Sequence, residues 1–215
     1  EIVLGNKEWM ISCSASAGPS FEGSGMTCGM RAASGAIQRV KIIRDGQIQV
    51  SCETIQAAKP KGICGSGLID LLGELFRHKL MDRSGKLDTL IKSNRLRINE
   101  NNEPEFVLVF KDDTDINKDI VVTESDIENL KRSKGSIYAA AAIMLRRLDM
   151  KFDDVQKIFI AGGFGTSLDI DKAVFIGLLP DISRKKFQFV GNSSLAGSRE
   201  ILLSYDAMLK AEEIA

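Results

Sequence analysis

The sequence predicts an α/β fold, a mixed sheet flanked by helices, and three observations point to it. The 215 residues are 44% hydrophobic, enough to bury a sizeable core. Two short apolar runs, residues 158–161 and 187–190, each give way to a turn of glycines or small residues and then to a helix, the alternation that joins parallel strands through helical crossovers. Nearer the N-terminus, turns at Gly5-Asn6 and Asp45-Gly46 separate alternating runs, as in antiparallel hairpins.

Composition excludes several function classes. Lys+Arg and Asp+Glu both number 29, so no net field draws the chain to nucleic acid, and at 6% aromatics are too few for a base-stacking platform. No apolar run reaches the ~18 residues of a membrane span, and no basic-then-apolar leader is seen, so neither membrane insertion nor export is expected. The cytoplasm is the expected compartment. Cys13, Cys28, Cys52 and Cys64 form no C-x-x-C pair, and His78 is the single histidine. Free thiols are expected, and no metal site within this chain.

In chain order, residues 1–6 begin in mid-strand and turn into a second run over 9–15, a hairpin whose preceding strand is cut away. The chain therefore reads as a fragment of a longer protein. In GPSFEGSGMTCGMRA (18–32), small residues crowd around Phe21 and Glu22 before Met26, Met30 and the alanines take up helical spacing. Two readings of Glu22 stay open: a carboxylate reaching a metal-bound water or a substrate hydroxyl, or a helix N-terminal acid set against the macrodipole. Residues 40–43 and 48–52, joined at Asp45-Gly46, form a scaffold hairpin.

A second glycine loop, Gly62, Gly65 and Gly67, opens a helix with an apolar face of Leu68, Leu71, Leu72, Leu75 and Phe76. Helix N-terminal amides favour an anion, which makes Cys64-Gly65-Ser66-Gly67 a candidate phosphate or ribose contact; a plain left-handed turn explains the same glycines. Residues 81–122 are charged and irregular, with β-like pieces at 96–98 and 106–110, and read as an insertion or edge element. Asp112, Asp113 and Asp115 lack the glycine and downstream glutamate of a calcium loop and fit a solvated turn.

Ser125 with Glu128 makes a capping box, and the long helix that follows is expected to bury Ile127, Leu130, Ile137, Ala141, Leu145 and Leu148. Gly135 costs about 1 kcal/mol against alanine in its interior, and the alanine run after it narrows the helix for a close neighbour. Lys131, Arg132 and Lys134 either flank a nucleotide or face water. The run at 158–161 suits a strand buried on both faces, and it stops at Gly162-Gly163. Ligands of open α/β sheets sit beyond the carboxyl ends of strands, so Gly162, Gly163, Phe164 and Gly165 read as a nucleotide-facing loop; a strand-to-helix turn without a ligand has the same pattern. A helix through Ala173, Phe175 and Ile176 ends at Gly177, and the strand at 187–190 leads to the small-residue loop GNSSLAGS (191–198) and a closing helix.

GPSFEGSGMTCGMRA, GICGSGLID, KGSIYAAAAIMLRRL, IAGGFGTSLDIDKAVFIGLLP and FVGNSSLAG, in that order over nearly the whole chain, resemble the C-terminal ATPase region of the reductive activators of corrinoid proteins. These are iron–sulfur proteins of the acetate/sugar kinase, heat-shock chaperone and actin superfamily. The resemblance implies an actin-like, ribonuclease H-like ATPase lobe over residues 1–215, the second of two lobes that close over ATP and Mg²⁺. The first lobe, its phosphate-gripping strand and a [2Fe-2S] domain are expected outside this chain. It further implies Gly162, Gly163 and Phe164 beside the adenosine, Gly65, Ser66 and Gly67 beside ribose or phosphate, and Glu128, Lys131 and Lys134 on the helix flanking the adenine. Gly191, Asn192, Ala196 and Gly197 then resemble the hinge between lobes, and Glu22 an acidic position near the phosphates.

The activity implied is ATP-dependent one-electron reduction of a cob(II)alamin protein to cob(I)alamin, with a corrinoid protein as partner. A homodimer is compatible with this, and oligomeric state does not follow from the sequence. A small-molecule or acyl kinase of the same superfamily and a nucleotide-controlled interaction module without chemistry are the alternatives. An upstream four-cysteine [2Fe-2S] motif separates the activator from a kinase.

Overall fold

The computed structural model describes residues 1–15, 18–162 and 168–214. The chain divides into two units, one of Glu1–Asp154 with Asp169–Asp181, the other of Val155–Leu168 with Ile182–Ala215.

The first unit opens with the expected hairpin, β1 (Ile2–Gly5) antiparallel to β2 (Met10–Cys13). Its turn is closed by Asn6, whose Oδ1 accepts from the amides of Glu8 at 2.8 Å and Trp9 at 3.1 Å. The helical spacing read into residues 26–32 does not become a helix. A single 3-10 turn, Pro19–Glu22, is followed by bends and turns as far as Gly35. The glycines at 23, 25 and 29 interrupt every turn a helix would need, and Gly29 instead bridges Ile63.

The second hairpin is longer than expected, β3 (Ala36–Asp45) with β4 (Gln47–Thr54), and β5 (Gly62–Ile63) adds a parallel partner to Ala36 and Ile37 alone. Helix α1 (Gly65–Arg77) lies against β3 with residues 65–75 all buried. The stretch expected to be irregular holds a three-stranded antiparallel sheet, β6 (Leu96–Ile98), β7 (Pro104–Val109) and β8 (Ile120–Thr123). It is no appendage, because Phe106, Leu108, Ile120 and Val122 join Ile37, Leu68, Leu71 and Leu75 in one apolar core. The four-residue β8 is too short for alternation to stand out among charged neighbours, which hid the third strand of the sheet.

Helix α2 (Glu124–Arg147) is capped two residues earlier than expected: Thr123 and Asp126, not Ser125 and Glu128, form the capping box. Asp126 serves twice, since its other oxygen accepts from the Thr27 amide at 2.9 Å. Ile127, Leu130 and Leu145 are buried as expected, with Met144, while Leu148 is exposed and Ile137 and Ala141 are half-buried. No described atom lies within 4 Å of where a Cβ of Gly135 would stand. A short helix, α3 (Ile170–Phe175), completes the unit.

The second unit pairs β9 (Ile158–Ala161) in parallel with β10 (Phe187–Gly191). Burial of β9 on both faces is not met within it, for Phe159 is 59% exposed. The loop expected over 191–198 is largely helix: α4 (Ser193–Leu203) takes in Ala196 and Gly197, and α5 (Tyr205–Ile214) follows. Among the described residues no helix is long and apolar enough to cross a membrane.

Candidate functional site

Gly162 ends β9 with φ 98°, a left-handed conformation that favours glycine, and its amide donates to the Gly191 carbonyl at 2.6 Å. Gly163, Phe164 and Gly165 lie outside the described residues. Asn192 is the N-cap of α4, its side-chain oxygen accepting from the Leu195 amide at 3.0 Å.

In the first unit Gly65, Ser66 and Gly67 form the first turn of α1. The preceding Cys64 gives the helix no side-chain cap. Its thiol donates to the Ile37 carbonyl at 3.2 Å and lies 3.3 Å from the Ser66 hydroxyl. An uncapped helix start of small residues is a donor set that fits an anion such as a nucleotide phosphate. Gly67 has a packing role as well. A Cβ there would overlap the Ile37 carbonyl oxygen and lie 2.9 Å from its carbon, so glycine is what lets α1 sit on β3.

Lys131 and Lys134 do not simply face water. The Lys131 ammonium donates to Glu128 and to the Ser84 carbonyl, both at 2.6 Å, and this hydrogen bond holds the Glu128 carboxyl below its usual range. Lys134 donates to the carbonyl of Ile176, the C-cap of α3, where a cation also meets the negative end of that helix. Burial, and less strongly the charge of Lys131, holds its amine below the usual lysine range. Glu22 is exposed at the end of the 3-10 turn.

What the sequence reading missed is a buried ionic cluster joining α1, β3 and α3. Asp70 and Glu74, one helical turn apart on α1, accept from the amides of Val40 at 3.1 Å and Ile42 at 2.9 Å, on the edge of β3 that β5 leaves uncovered. Lys172 of α3 reaches between them, 3.0 Å from Asp70 and 3.3 Å from Glu74, and Arg39 lies 3.4 Å from Asp70. The carboxylates replace a missing strand. The one signal for them was two acids at i and i+4 in a helix rich in leucine, which reads equally well as a solvated face.

All four cysteines carry free thiols, and burial pushes the Cys52 thiol up to about 12, leaving it protonated and unreactive. Among the described residues no group of His, Cys, Asp or Glu could hold a metal ion. Asp115 pairs instead with Lys61 at 3.3 Å. Among the described residues the four cysteines form no group that would hold an iron–sulfur cluster.

The family described as the C-terminal domain of RACo, the ASKHA domain, matches residues 1–215. The corrinoid activation enzyme RamQ of Eubacterium limosum is 35% identical over 210 residues, 95% of this chain and 35% of that protein. A Methanosarcina barkeri protein, the [Co(II) methylated amine-specific corrinoid protein] reductase, is 27% identical, covering all of this chain and 39% of its own length. A solved structure titled as a reductive activator for corrinoid, iron-sulfur protein superposes with a TM-score of 0.93 at 50% identity, over 99% of this chain and 33% of that one. The chain thus spans about a third of the length of these relatives. It belongs to the family of the C-terminal ASKHA domain of RACo, with the actin-like α/β fold of that domain.

Proposed function

We infer that this chain is the nucleotide-binding and partner-docking lobe of a protein that reductively activates a corrinoid protein, converting cob(II)alamin to cob(I)alamin at the expense of ATP. The observation that carries the reading is the likeness, at 50% identity over 99% of this chain, to a third of a reductive activator. The same proposal places the protein in the cytoplasm, with Mg²⁺ accompanying ATP and a [2Fe-2S] cluster carried outside residues 1–215.

Reduction to cob(I)alamin is uphill, and a nucleotide helps only by binding one conformation of the complex more tightly than another. The amides at the start of α1 would hold phosphate or ribose in the first unit, and in the second unit a Cβ at Gly162 would meet no described atom within 4 Å, which would suit a close backbone contact. Lys131 and Lys134 contribute through the helix they order rather than as free cations, since both ammonium groups already have protein partners. Glu22 remains the exposed acid proposed near the phosphates.

The test uses the intact protein with a reductant, its corrinoid partner in the cob(II)alamin state and ATP–Mg²⁺. The cob(II)alamin electron paramagnetic resonance signal is expected to decay only when ATP is present. Decay at the same rate without ATP, or phosphoryl transfer to a small molecule with no decay, would remove the reading. Isothermal calorimetry of residues 1–215 alone is expected to give weak or no ATP binding, and micromolar affinity would show that this lobe holds the nucleotide unaided.

A further inference from the structure

We propose that Asp126 is a positioning residue for the phosphate side of the nucleotide site, pinning residues 18–30 so that Glu22 is carried beside the strand that opens α1. The inference rests on the ATP-binding reading above, with Glu22 near the phosphates. Four of these thirteen residues, at 18, 23, 25 and 29, are glycine. Glycine loses more backbone freedom on ordering than any other residue, so contacts from outside the segment must hold it in place.

Asp126 supplies the central contact. It lies in the first turn of α2 and is 3% exposed, with one carboxylate oxygen 2.9 Å from the Thr27 amide and the other 3.0 Å from the Thr123 amide. Two separate N–H donors call for two acceptor oxygens, which a carboxylate offers and a carboxamide does not. Two neighbours hold the same stretch. The Asn129 side chain, almost one helical turn further on, donates to the Gly25 carbonyl at 3.4 Å, and Cys28 Sγ accepts from the Val121 amide of β8 at 3.4 Å.

Beyond Thr27 the backbone runs alongside β5. The Ile63 amide donates to the Cys28 carbonyl and the Met30 amide to the Ile63 carbonyl, both at 2.9 Å. Gly23, next to Glu22, lies against Met30, since a Cβ at Gly23 would overlap the Met30 carbonyl. The 3-10 turn that ends at Glu22 packs against both α1 and α2. Backbone contacts therefore lead from Thr27 to Met30, and from Met30 both to the neighbour of Glu22 and to Ile63, two residues before α1 begins. A shift of Thr27 displaces Glu22 relative to the first turn of α1, and every residue in this chain of contacts belongs to the first unit.

The test uses the intact protein and follows the ATP-driven decay of the cob(II)alamin signal at saturating ATP, with ATP affinity by isothermal calorimetry and Tm by scanning calorimetry. Glu22→Gln is expected to slow the decay by about tenfold or more, and Asp126→Ala by a similar factor. Because Asp126 acts through Glu22, adding Asp126→Ala to Glu22→Gln is expected to slow it by less than about threefold further. Thr123→Ala removes the other half of the capping box and serves as the control for helix stability. Its Tm is expected to fall while its rate stays within about threefold of the parent. A parent-like rate in Glu22→Gln or Asp126→Ala, multiplying losses in the double variant, or an equal loss in Thr123→Ala overturns the positioning role and leaves the ATP-binding reading standing. Asp126→Asn, of the same shape with one acceptor oxygen, takes the place of an alanine variant that does not fold. Slower decay together with faster hydrogen exchange of the Thr27 amide then supports the role, and any other result overturns it. Absence of ATP binding in the parent protein removes that reading and this inference with it.

Discussion

Phe106→Ala is expected to lower the stability of the whole first unit by about 3–5 kcal/mol, the usual cost of emptying a buried phenyl site. Phe106 is fully buried between its strand partners Leu96 and Val122, and it shares a core with Ile37, Leu68 and Leu71. The informative readout is distant from the mutation. Amides of α1 are expected to exchange faster with solvent, because a cavity in a shared core loosens every wall that lines it. Were residues 81–122 a separate appendage, the loss of protection would stay within β6, β7 and β8.

Gly67→Ala is expected to cost about 3 kcal/mol, at the upper end of overpacking effects. The added Cβ would collide with the Ile37 backbone, which pairs with β4 and β5 and cannot rotate aside as a side chain can, and it would stand 3.0 Å from the Ile63 side chain. At the size of this chain that corresponds to a fall in Tm of roughly 6–12 °C by scanning calorimetry. The same substitution is expected to weaken ATP binding, since the first turn of α1 must lift off β3. A Tm within about 2 °C of the parent would mean that α1 slides freely, and would remove the packing account.

Strand and helix identities were legible where a local pattern is strong. The Asp45-Gly46 hairpin, the leucine-rich helix after Gly62, and the apolar runs at 158 and 187 all form the expected elements. Legibility failed where the pattern was short or carried by small residues. Met26 and Met30 have helical spacing, yet the glycines around them favour turns. SSLAGS reads as a loop by composition but forms the first turns of α4, because Asn192 caps it and Leu195, Ile201 and Leu202 continue the helix. Ser125 and Glu128 matched the capping-box spacing, and Thr123 with Asp126 matched it equally well. The strand ending at Thr123 decided between them, because it fixes where the backbone turns.

The candidate site was legible in a similarly divided way. The uncapped turn at Gly65-Ser66-Gly67 and the positive φ at Gly162 are properties of the residues themselves, and both stand where the sequence placed them. The partners of Lys131 and Lys134 were not readable, since Ser84 and Ile176 are 47 and 42 positions away in the chain.

The sequence by itself determined the family, the Asp45-Gly46 hairpin, helix α1 and the strands at 158–161 and 187–191, because each is written in neighbouring residues whose backbone preferences act over a few positions. Only the tertiary structure decided which charges are buried and what they hold. Asp70 meets Lys172 across 102 positions, and whether a carboxylate faces water or a lysine depends on which helix packs over it.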